Sequence, residues 1–224
     1  FENSQAVHLS NEWIDVYREE YESKTPQDKI KSGVEVEKEC LPPVKPNPIQ
    51  VEVLLALKKC RIEGNARGLV VMATGTGKTW LAAFDCLETK AKKVLFVAHR
   101  EEILSQAEET FVRIFEDAKV GKYTGTQKDK NVDILFASIQ TLGRQTHLDK
   151  FYETYFDYII VDEFHHAGAA SYKRLLSGFT PKFLLGLTAT PERTDQADIL
   201  SLCDNNLVFE NGMVKAINQE ILCP

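Results

Sequence analysis

The chain has 224 residues, enough for one sizeable α/β domain with appendages or for two small domains. Apolar residues make up 43% and charged residues 27%, which is ordinary for a globular protein. The 27 basic and 33 acidic residues give a net charge of −6. This balance excludes a broadly basic nucleic-acid-binding protein, so any nucleic-acid site must be a local patch.

The cysteines are widely spaced and include no Cys-x-x-Cys pair, which argues against a disulfide framework or a zinc site. Reduced thiols in the cytoplasm fit this pattern better. The apolar runs are of strand length, far short of the roughly 20 residues that span a bilayer, and no signal peptide opens the chain. We therefore predict a cytoplasmic protein with no membrane partner. The five cysteines are Cys40, Cys60, Cys86, Cys203 and Cys223.

The first part of the chain differs in character from the rest. Residues 9–21 place apolar side chains at helical spacing among charged ones, which predicts an amphipathic helix. Residues 24–48 are charged and interrupted by prolines and a glycine, which indicates a linker or an irregular segment. We expect an N-terminal helix and linker over residues 1–47, and one domain over residues 48–224.

Helical periodicity resumes over residues 49–60, and from residue 68 onward short apolar runs alternate with helical patterns. Strands that are apolar on both faces and separated by helices are typical of a parallel sheet covered on both sides. The predicted fold class is therefore α/β. Strand candidates are residues 68–73, 93–98, 119–123, 132–137, 157–162 and 183–188, with a short one near 207–209. Further helix candidates are residues 78–90, 100–116, 139–143, 169–177 and 196–203, and a helix-like tail runs to Ile221.

A glycine-rich loop with the sequence Ala-Thr-Gly-Thr-Gly-Lys-Thr follows the first buried strand and opens a helix. Met72 stands where the strict phosphate-loop pattern has glycine, but the Gly-Lys-Thr ending is intact. In this context backbone N–H groups and the helix N-terminus face an anion, the lysine reaches phosphates, and the threonine hydroxyl binds Mg²⁺. A flexible turn before a surface lysine is the alternative. The predicted binding residues are Thr74, Gly75, Thr76, Gly77, Lys78 and Thr79.

A second polar segment, Asp162-Glu163, ends the apolar strand that begins near Asp157. A phosphate loop needs a carboxylate for the metal and a base that polarises water. We expect Asp162 to hold the Mg²⁺ shell and Glu163 to polarise the attacking water, with Lys78 as their catalytic partner. Alternatively, both acids are solvated residues at the start of the next helix, a common position for acids.

Several short segments occur together in an order typical of one family. They are Pro48-Ile49-Gln50, the Walker A loop 73–79, Val97-Ala98-His99-Arg100 with Gln106, Ser138–Leu142, the DExH segment Asp162-Glu163-Phe164-His165, and Thr188-Ala189-Thr190-Pro191. This set resembles the superfamily-two helicases and translocases, and within them the restriction-enzyme type that includes type III restriction subunits. The resemblance covers about residues 48–224. It implies the first RecA-like lobe of a P-loop NTPase that uses ATP and Mg²⁺.

The resemblance also implies roles for single residues. Gln50 would hydrogen-bond adenine, although it could be an exposed helix residue. His165, Thr188 and Thr190 would couple the nucleotide site to nucleic acid, although His165 and the adjacent histidine alone could suggest a metal pair, and the threonines could simply pack. Arg100, Ser138, Gln140 and Thr141 would contact one nucleic-acid strand, although Arg100 could instead pair with the glutamates that follow it.

No second series of strands and helices follows Pro191, and no arginine-finger motif of the kind that the resemblance implies is present. We therefore expect the second RecA-like lobe elsewhere in a longer protein, with a nuclease domain before the motor in some relatives. The expected partner is DNA, as a single strand or as a duplex with single-strand access. RNA, or a nucleotide switch that is not a motor, are the alternatives. The chain alone should bind Mg-ATP, hydrolyse it very slowly and not unwind duplexes.

Overall fold

A computed structural model describes residues 44–189 and 196–211. This part of the chain contains seven strands and seven α-helices, with a short 3₁₀ turn at Phe164–His166. The strands are β1 (Arg67–Met72), β2 (Val94–Ala98), β3 (Val120–Tyr123), β4 (Ile134–Ser138), β5 (Tyr158–Val161), β6 (Phe183–Thr188) and β7 (Leu207–Asn211). The helices are α1 (Pro48–Ile62), α2 (Lys78–Thr89), α3 (Glu101–Ile114), α4 (Ile139–Leu142), α5 (Gln145–Leu148), α6 (Ala170–Gly178) and α7 (Gln196–Ser201).

The strands form one sheet in the order β3-β4-β2-β5-β6-β1-β7, and every pairing between them is parallel. Successive side chains of a strand point to opposite faces, so each strand contributes to two cores. In β1, Val70 and Met72 pack with α1, α2 and α3, whereas Leu69 and Val71 pack with α4, α6 and α7. Burial on both faces explains why the strands are apolar without alternation.

The predicted α/β fold with a parallel sheet is confirmed, and each predicted strand lies within two residues of an observed one. Two one-turn elements were not predicted, namely α5 and the 3₁₀ turn, because a single turn is too short to show a helical period. The helix over residues 9–21, the linker and the tail to Ile221 lie outside the described residues. The division at residues 47 and 48 therefore stays a prediction.

Parallel strands bring their carboxyl ends to one edge of the sheet, and ligands of open α/β sheets bind at that edge. Here the loops after β1, β2, β4 and β5 carry the Walker A segment, Arg100, the Ser138–Thr141 segment and the Asp162-Glu163 pair, while Thr188 ends β6. The fold therefore gathers the predicted site residues on one edge. Within the described ranges, no helix is long and apolar enough to cross a membrane.

Candidate nucleotide-binding and hydrolysis site

The loop between β1 and α2 has the backbone shape of an anion cradle. Gly75 and Gly77 adopt positive φ angles of 84° and 80°, a conformation that glycine adopts without strain. Gly77 is the N-cap of α2 and supplies no side chain, so the first amides of the helix are left for another acceptor. The Thr76 hydroxyl donates to the carbonyl oxygen of Ala73 at 2.6 Å and braces the turn. Thr74 is exposed at the tip of the loop.

Lys78 opens α2, and its side chain lies along the end of β1. Its ammonium donates to the carbonyl oxygens of Met72 at 3.2 Å and Ala73 at 3.5 Å. Burial lowers the pKa of Lys78, while the charges of Asp162 and Glu163 act in the opposite direction. The lysine therefore shares its electrostatic environment with both carboxylates, as the combination of the two motifs predicted.

Asp162 follows β5 and is nearly buried, with 7% of its surface exposed. Burial raises its pKa to about 6, helped by the charge of Glu163 and opposed by the Glu163 amide and by Lys78. Among the described residues, the Glu163 N–H at 2.9 Å is the one hydrogen-bond donor to this carboxylate. Asp162 thus keeps acceptor capacity for a cation.

The residues predicted to hold Mg²⁺ supply suitable donors. Mg²⁺ prefers oxygen ligands and is commonly bound by one or two carboxylates together with substrate phosphates. Asp162 offers a carboxylate, and the Thr79 hydroxyl has no hydrogen-bond partner in the described part of the chain. Both groups stand at the edge of the sheet where the cradle opens, so the residues present fit the ion.

Glu163 has a left-handed backbone conformation with φ 51° and ψ 50°. Such conformations are uncommon for residues other than glycine, cost about 1–3 kcal/mol and cluster at functional sites. The Glu163 carboxylate oxygen Oε2 lies 3.2 Å from His165 Nδ1. The strained backbone and this contact together fix the direction of the carboxylate.

His165 also connects Glu163 to the neighbouring strand. Its Nδ1 lies 3.2 Å from the hydroxyl of Thr188, which is completely buried at the end of β6. Thr188 therefore both packs in the core and contacts His165, so the packing alternative and the predicted contact do not exclude each other. Three of the predicted residues, Glu163, His165 and Thr188, are therefore connected by successive contacts. Thr190 lies outside the described residues. Within the described residues, no group of three or more His, Cys, Asp or Glu side chains is arranged to hold a metal ion.

Gln50 is buried, with 4% of its surface exposed, so the alternative of an exposed helix residue is wrong. It belongs to a capping box with Asn47 at the start of α1, and its amide also donates to the carbonyl oxygen of Gly77 at 3.0 Å. A Cβ atom on Gly77 would approach this amide nitrogen to 2.5 Å. Gln50 therefore braces the phosphate loop from the side, and its contact with adenine stays a prediction.

The residues predicted to contact nucleic acid fall into two groups. Arg100 and Gln140 are exposed, whereas Ser138 and Thr141 are buried with 5% and 9% exposure. Arg100 forms an ion pair with neither Glu101 nor Glu102, which removes that alternative; its Nε–H donates to His99 Nε2 at 3.1 Å. Arg100 and Gln140 are thus better placed than Ser138 and Thr141 to contact a nucleic-acid strand.

His99 links these segments, although no role was predicted for it. Its carbonyl oxygen accepts from Gln140 Nε2 at 2.6 Å, and Gln140 Oε1 accepts from the Ser138 hydroxyl at 2.6 Å. Because an arginine can only donate, His99 Nε2 must be the acceptor, which places the proton of the neutral ring on Nδ1. That Nδ1 is buried with no partner among the described residues. The position of His99 directly before Arg100 was the available signal.

A cavity of about 380 Å³ opens between the predicted base and the end of β2. Its lining includes His99, Arg100, Glu163, His165 and His166. The rings of His99 and His166 meet edge to face with centroids 4.9 Å apart. Burial lowers the pKa of His99, and the neighbouring imidazole and guanidinium groups lower it further. The cavity lies between Glu163, the predicted base, and the exposed Arg100.

Tyr172 on α6 is a second residue that the sequence did not single out. Its hydroxyl is buried without a hydrogen-bond partner among the described residues. Burial raises its pKa, and the carboxylates of Asp162 and Glu163 raise it further, which shows that the ring lies within electrostatic reach of both acids. A neutral O–H donor therefore stands behind the carboxylate pair.

Comparisons with known proteins agree with this geometry. The family described as "Type III restriction enzyme, res subunit" matches residues 43–193. IRC3 of Saccharomyces cerevisiae, provisionally named an ATP-dependent helicase, is 34% identical over 182 residues, covering 72% of this chain and 25% of IRC3. The type I restriction enzyme EcoAI endonuclease subunit of Escherichia coli is 31% identical over 145 residues, covering 59% of this chain and 18% of that protein. This chain therefore spans about a quarter or less of these relatives.

Solved structures give the same fold. The Hef helicase domain of Pyrococcus furiosus superposes with a TM-score of 0.61 at 22% identity, covering 74% of this chain and 37% of that one. The SWI2/SNF2 ATPase core of Sulfolobus solfataricus, solved in complex with double-stranded DNA, gives 0.59 at 18% identity, covering 72% and 36%. The predicted RecA-like architecture is therefore confirmed. With its family match over most of its length, the chain belongs to the type III restriction enzyme res-subunit family of superfamily-two helicase-like proteins.

Proposed function

We propose that this chain is the ATP-binding lobe of an ATP-dependent DNA helicase or translocase. One observation supports this most: Lys78 of the phosphate loop and the Asp162-Glu163 pair, 84 and 85 positions further on, share one electrostatic environment at the carboxyl edge of the sheet. A phosphate cradle and a carboxylate pair in mutual reach are the two halves of a nucleotide-hydrolysing site. Both halves are intact.

The residues divide the work as follows. The amides at the start of α2 and the Lys78 ammonium bind the phosphates. Thr79 and Asp162 would hold Mg²⁺, and the bound ion would neutralise charge on the phosphate oxygens. Glu163 accepts a hydrogen bond from the attacking water and orients it, while His165 holds the glutamate in place. Thr188 then connects this set to β6.

The second lobe is part of the proposal. Motors of this type place one ATP between two RecA-like lobes, and an arginine supplied by the other lobe is worth about 10³–10⁵ in turnover. The described residues form one sheet with one cradle. We therefore expect the chain alone to bind Mg-ATP, to hydrolyse it very slowly and not to separate duplexes.

The test is Mg-ATP binding by calorimetry and ATP turnover, each with and without single-stranded DNA. Wild type is compared with Lys78→Ala and Glu163→Gln. Binding that Lys78→Ala abolishes and Glu163→Gln retains, with negligible turnover, is the expected result. Turnover that DNA stimulates and that both variants lose would show that the chain supplies its own arginine. The prediction that the chain alone hydrolyses ATP very slowly would then be wrong. Equal binding by wild type and Lys78→Ala would overturn the cradle itself.

A further inference from the structure

Two lysines flank one aromatic pair beside the carboxyl ends of β3 and β4. Lys128 Nζ lies 5.4 Å from the ring centroid of Tyr123, and Lys130 Nζ lies 5.8 Å from that of Phe151. The two rings meet edge to face, with centroids 5.6 Å apart. The loop between β3 and β4 thus presents both cations on one surface, next to α5.

Helix α5 adds cations to the same surface. Arg144 is its N-cap, Lys150 follows its C-cap, and His147 between them bonds through Nδ1 to the Tyr123 hydroxyl at 2.9 Å. Burial lowers the pKa of His147, and the charges of Lys150, Lys128 and Arg144 lower it further, with no carboxylate acting in the opposite direction. The three cations therefore lie within electrostatic reach of the same imidazole. Arg174 of α6 joins them through its Nε–H, which donates to the carbonyl oxygen of Gly143 at 3.1 Å.

We call this surface the basic patch: Lys128, Lys130, Arg144, Lys150 and Arg174, all exposed. Within the described residues none of the five forms an ion pair. By contrast, three other exposed lysines are paired with acids, namely Lys58, Lys59 and Lys182. The Lys128 ammonium also donates to backbone carbonyl oxygens of its own loop, including that of Gly125 at 3.1 Å. In a chain with a net charge of −6, a cluster of exposed cations without ion pairs on one face favours a polyanion.

The position of the patch identifies the polyanion. Arg144 lies two residues after the end of α4, and its amide donates to the carbonyl oxygen of Thr141 at 3.3 Å, so the patch begins one turn beyond the exposed Gln140. Beside Lys150, the ring of Tyr152 is 68% exposed and packs against Tyr155 with centroids 5.1 Å apart. Cations that track phosphates together with an exposed aromatic face are the features of a single-strand binding surface.

We propose that the basic patch, with Tyr152, binds the phosphate backbone and one base of a single-stranded nucleic acid, and extends the strand path beyond Arg100 and Gln140. The inference deepens the proposed function and rests on it for the class of partner. It assigns binding to side chains outside the segments that the family resemblance singled out.

The test measures binding of a fluorescent 20-nucleotide single strand by the 224-residue chain as a function of salt. The patch variant Lys128→Gln/Arg144→Gln/Lys150→Gln is compared with the control Lys58→Gln/Lys59→Gln/Lys182→Gln, which loses the same three charges. Each phosphate contact adds about 0.7 to the slope of log K against log salt for single strands. The patch variant should therefore lose about 2 from this slope and bind at least tenfold more weakly, while the control changes less than twofold.

Tyr152→Ala provides an independent measurement. Loss of one stacked base should weaken single-strand binding about 5- to 50-fold without changing the salt slope. Equal effects of the patch and control variants would overturn the inference and leave the nucleotide site unaffected. If wild type binds Mg-ATP but no single strand at all, both the inference and the nucleic-acid part of the proposed function fail. If Mg-ATP binding itself is absent, the cradle fails, and the salt-slope comparison still decides the patch.

Discussion

Two buried aspartates lie at opposite ends of strand β5: Asp85 of α2 contacts its first residue, and Asp162 follows its last residue. Their hydrogen-bond partners differ. At the amino end, the Tyr158 hydroxyl donates to Asp85, which is completely buried. The Asp85 carboxylate also accepts hydrogen bonds from both Nη groups of Arg61, at 2.8 and 2.9 Å. At its carboxyl end, Asp162 receives one backbone amide from the described residues. Burial raises the pKa of both carboxyls.

The difference separates a carboxylate that is satisfied within the fold from one that keeps acceptor capacity. Asp85 has a bidentate cation and a hydroxyl, so its hydrogen-bonding capacity is used within the fold, as a buried ion needs. Asp162 is nearly as buried but keeps capacity for a ligand from outside. One end of the strand is closed by its own side chains, and the other end is left open at the edge where the phosphate loop lies.

The largest expected effect is a loss of stability when the ion pair at the amino end of β5 is broken. Asp85→Ala leaves the Arg61 guanidinium partly buried, with 20% of its side chain exposed, and without its bidentate partner. Removing one member of a buried ion pair typically costs about 3–5 kcal/mol. We expect Asp85→Ala to lower the free energy of unfolding by about that amount in urea titrations at pH 7, whereas Asp162→Ala should not lower it, because burial disfavours the ionised Asp162 carboxylate. Equal losses would remove the distinction between the two ends.

The second effect concerns pH. The pKa of Asp162 is raised to about 6 from 3.8, so between these values the folded chain holds a proton that the unfolded chain has released. Stability must then fall as pH rises from about 4 to about 6, by about 2–3 kcal/mol at 1.36 kcal/mol per pKa unit. Asp162→Asn has no such group. The difference in unfolding free energy between wild type and Asp162→Asn should therefore move against wild type over this range. A constant difference would contradict the raised pKa.

A smaller effect is expected at the strained residue that follows. Glycine adopts the left-handed conformation of Glu163 without the cost that a Cβ atom brings. Glu163→Gly should therefore be more stable than Glu163→Ala by about 1 kcal/mol, although both lose the carboxylate that we propose as the base. Thermal unfolding of the two variants side by side measures this. If the alanine variant is as stable as the glycine variant, the backbone at Glu163 carries no strain.

These two ends also differ in how far the sequence predicts them. The strands and their order of appearance follow from buried apolar runs that alternate with helical patterns, and the open end follows from the Asp162-Glu163 motif. The closed end has no local signal. Arg61, Asp85 and Tyr158 come from α1, α2 and β5, and each looks like an ordinary helix or strand residue until the elements pack.

Other features of the site escaped prediction for the same physical reason. Burial of Gln50 depends on α1 meeting the phosphate loop 27 positions later. The contact of Gln140 with the His99 carbonyl spans 41 positions and needs β2 and β4 to be neighbours. The left-handed backbone of Glu163 is uncommon for any residue other than glycine, so its residue type does not predict it. Patterns along the chain report periodicity and motifs, whereas these contacts exist only after the sheet has formed.

The smallest effect separates two roles of Gln50. In Gln50→Glu one oxygen still accepts from the Asn47 amide, but the other faces the Gly77 carbonyl oxygen, where the native amide donates. Two acceptors then oppose each other at the cradle, which should cost about 1–3 kcal/mol of stability, and Mg-ATP affinity should fall several-fold. Asn47→Ala removes the cap of α1 instead, at a cost of about 1 kcal/mol, and leaves the bond to Gly77 in place. Its Mg-ATP affinity should therefore equal that of wild type in calorimetry. If both variants lose affinity alike, Gln50 acts on the nucleotide site through the stability of α1, and its direct brace on the phosphate loop contributes nothing.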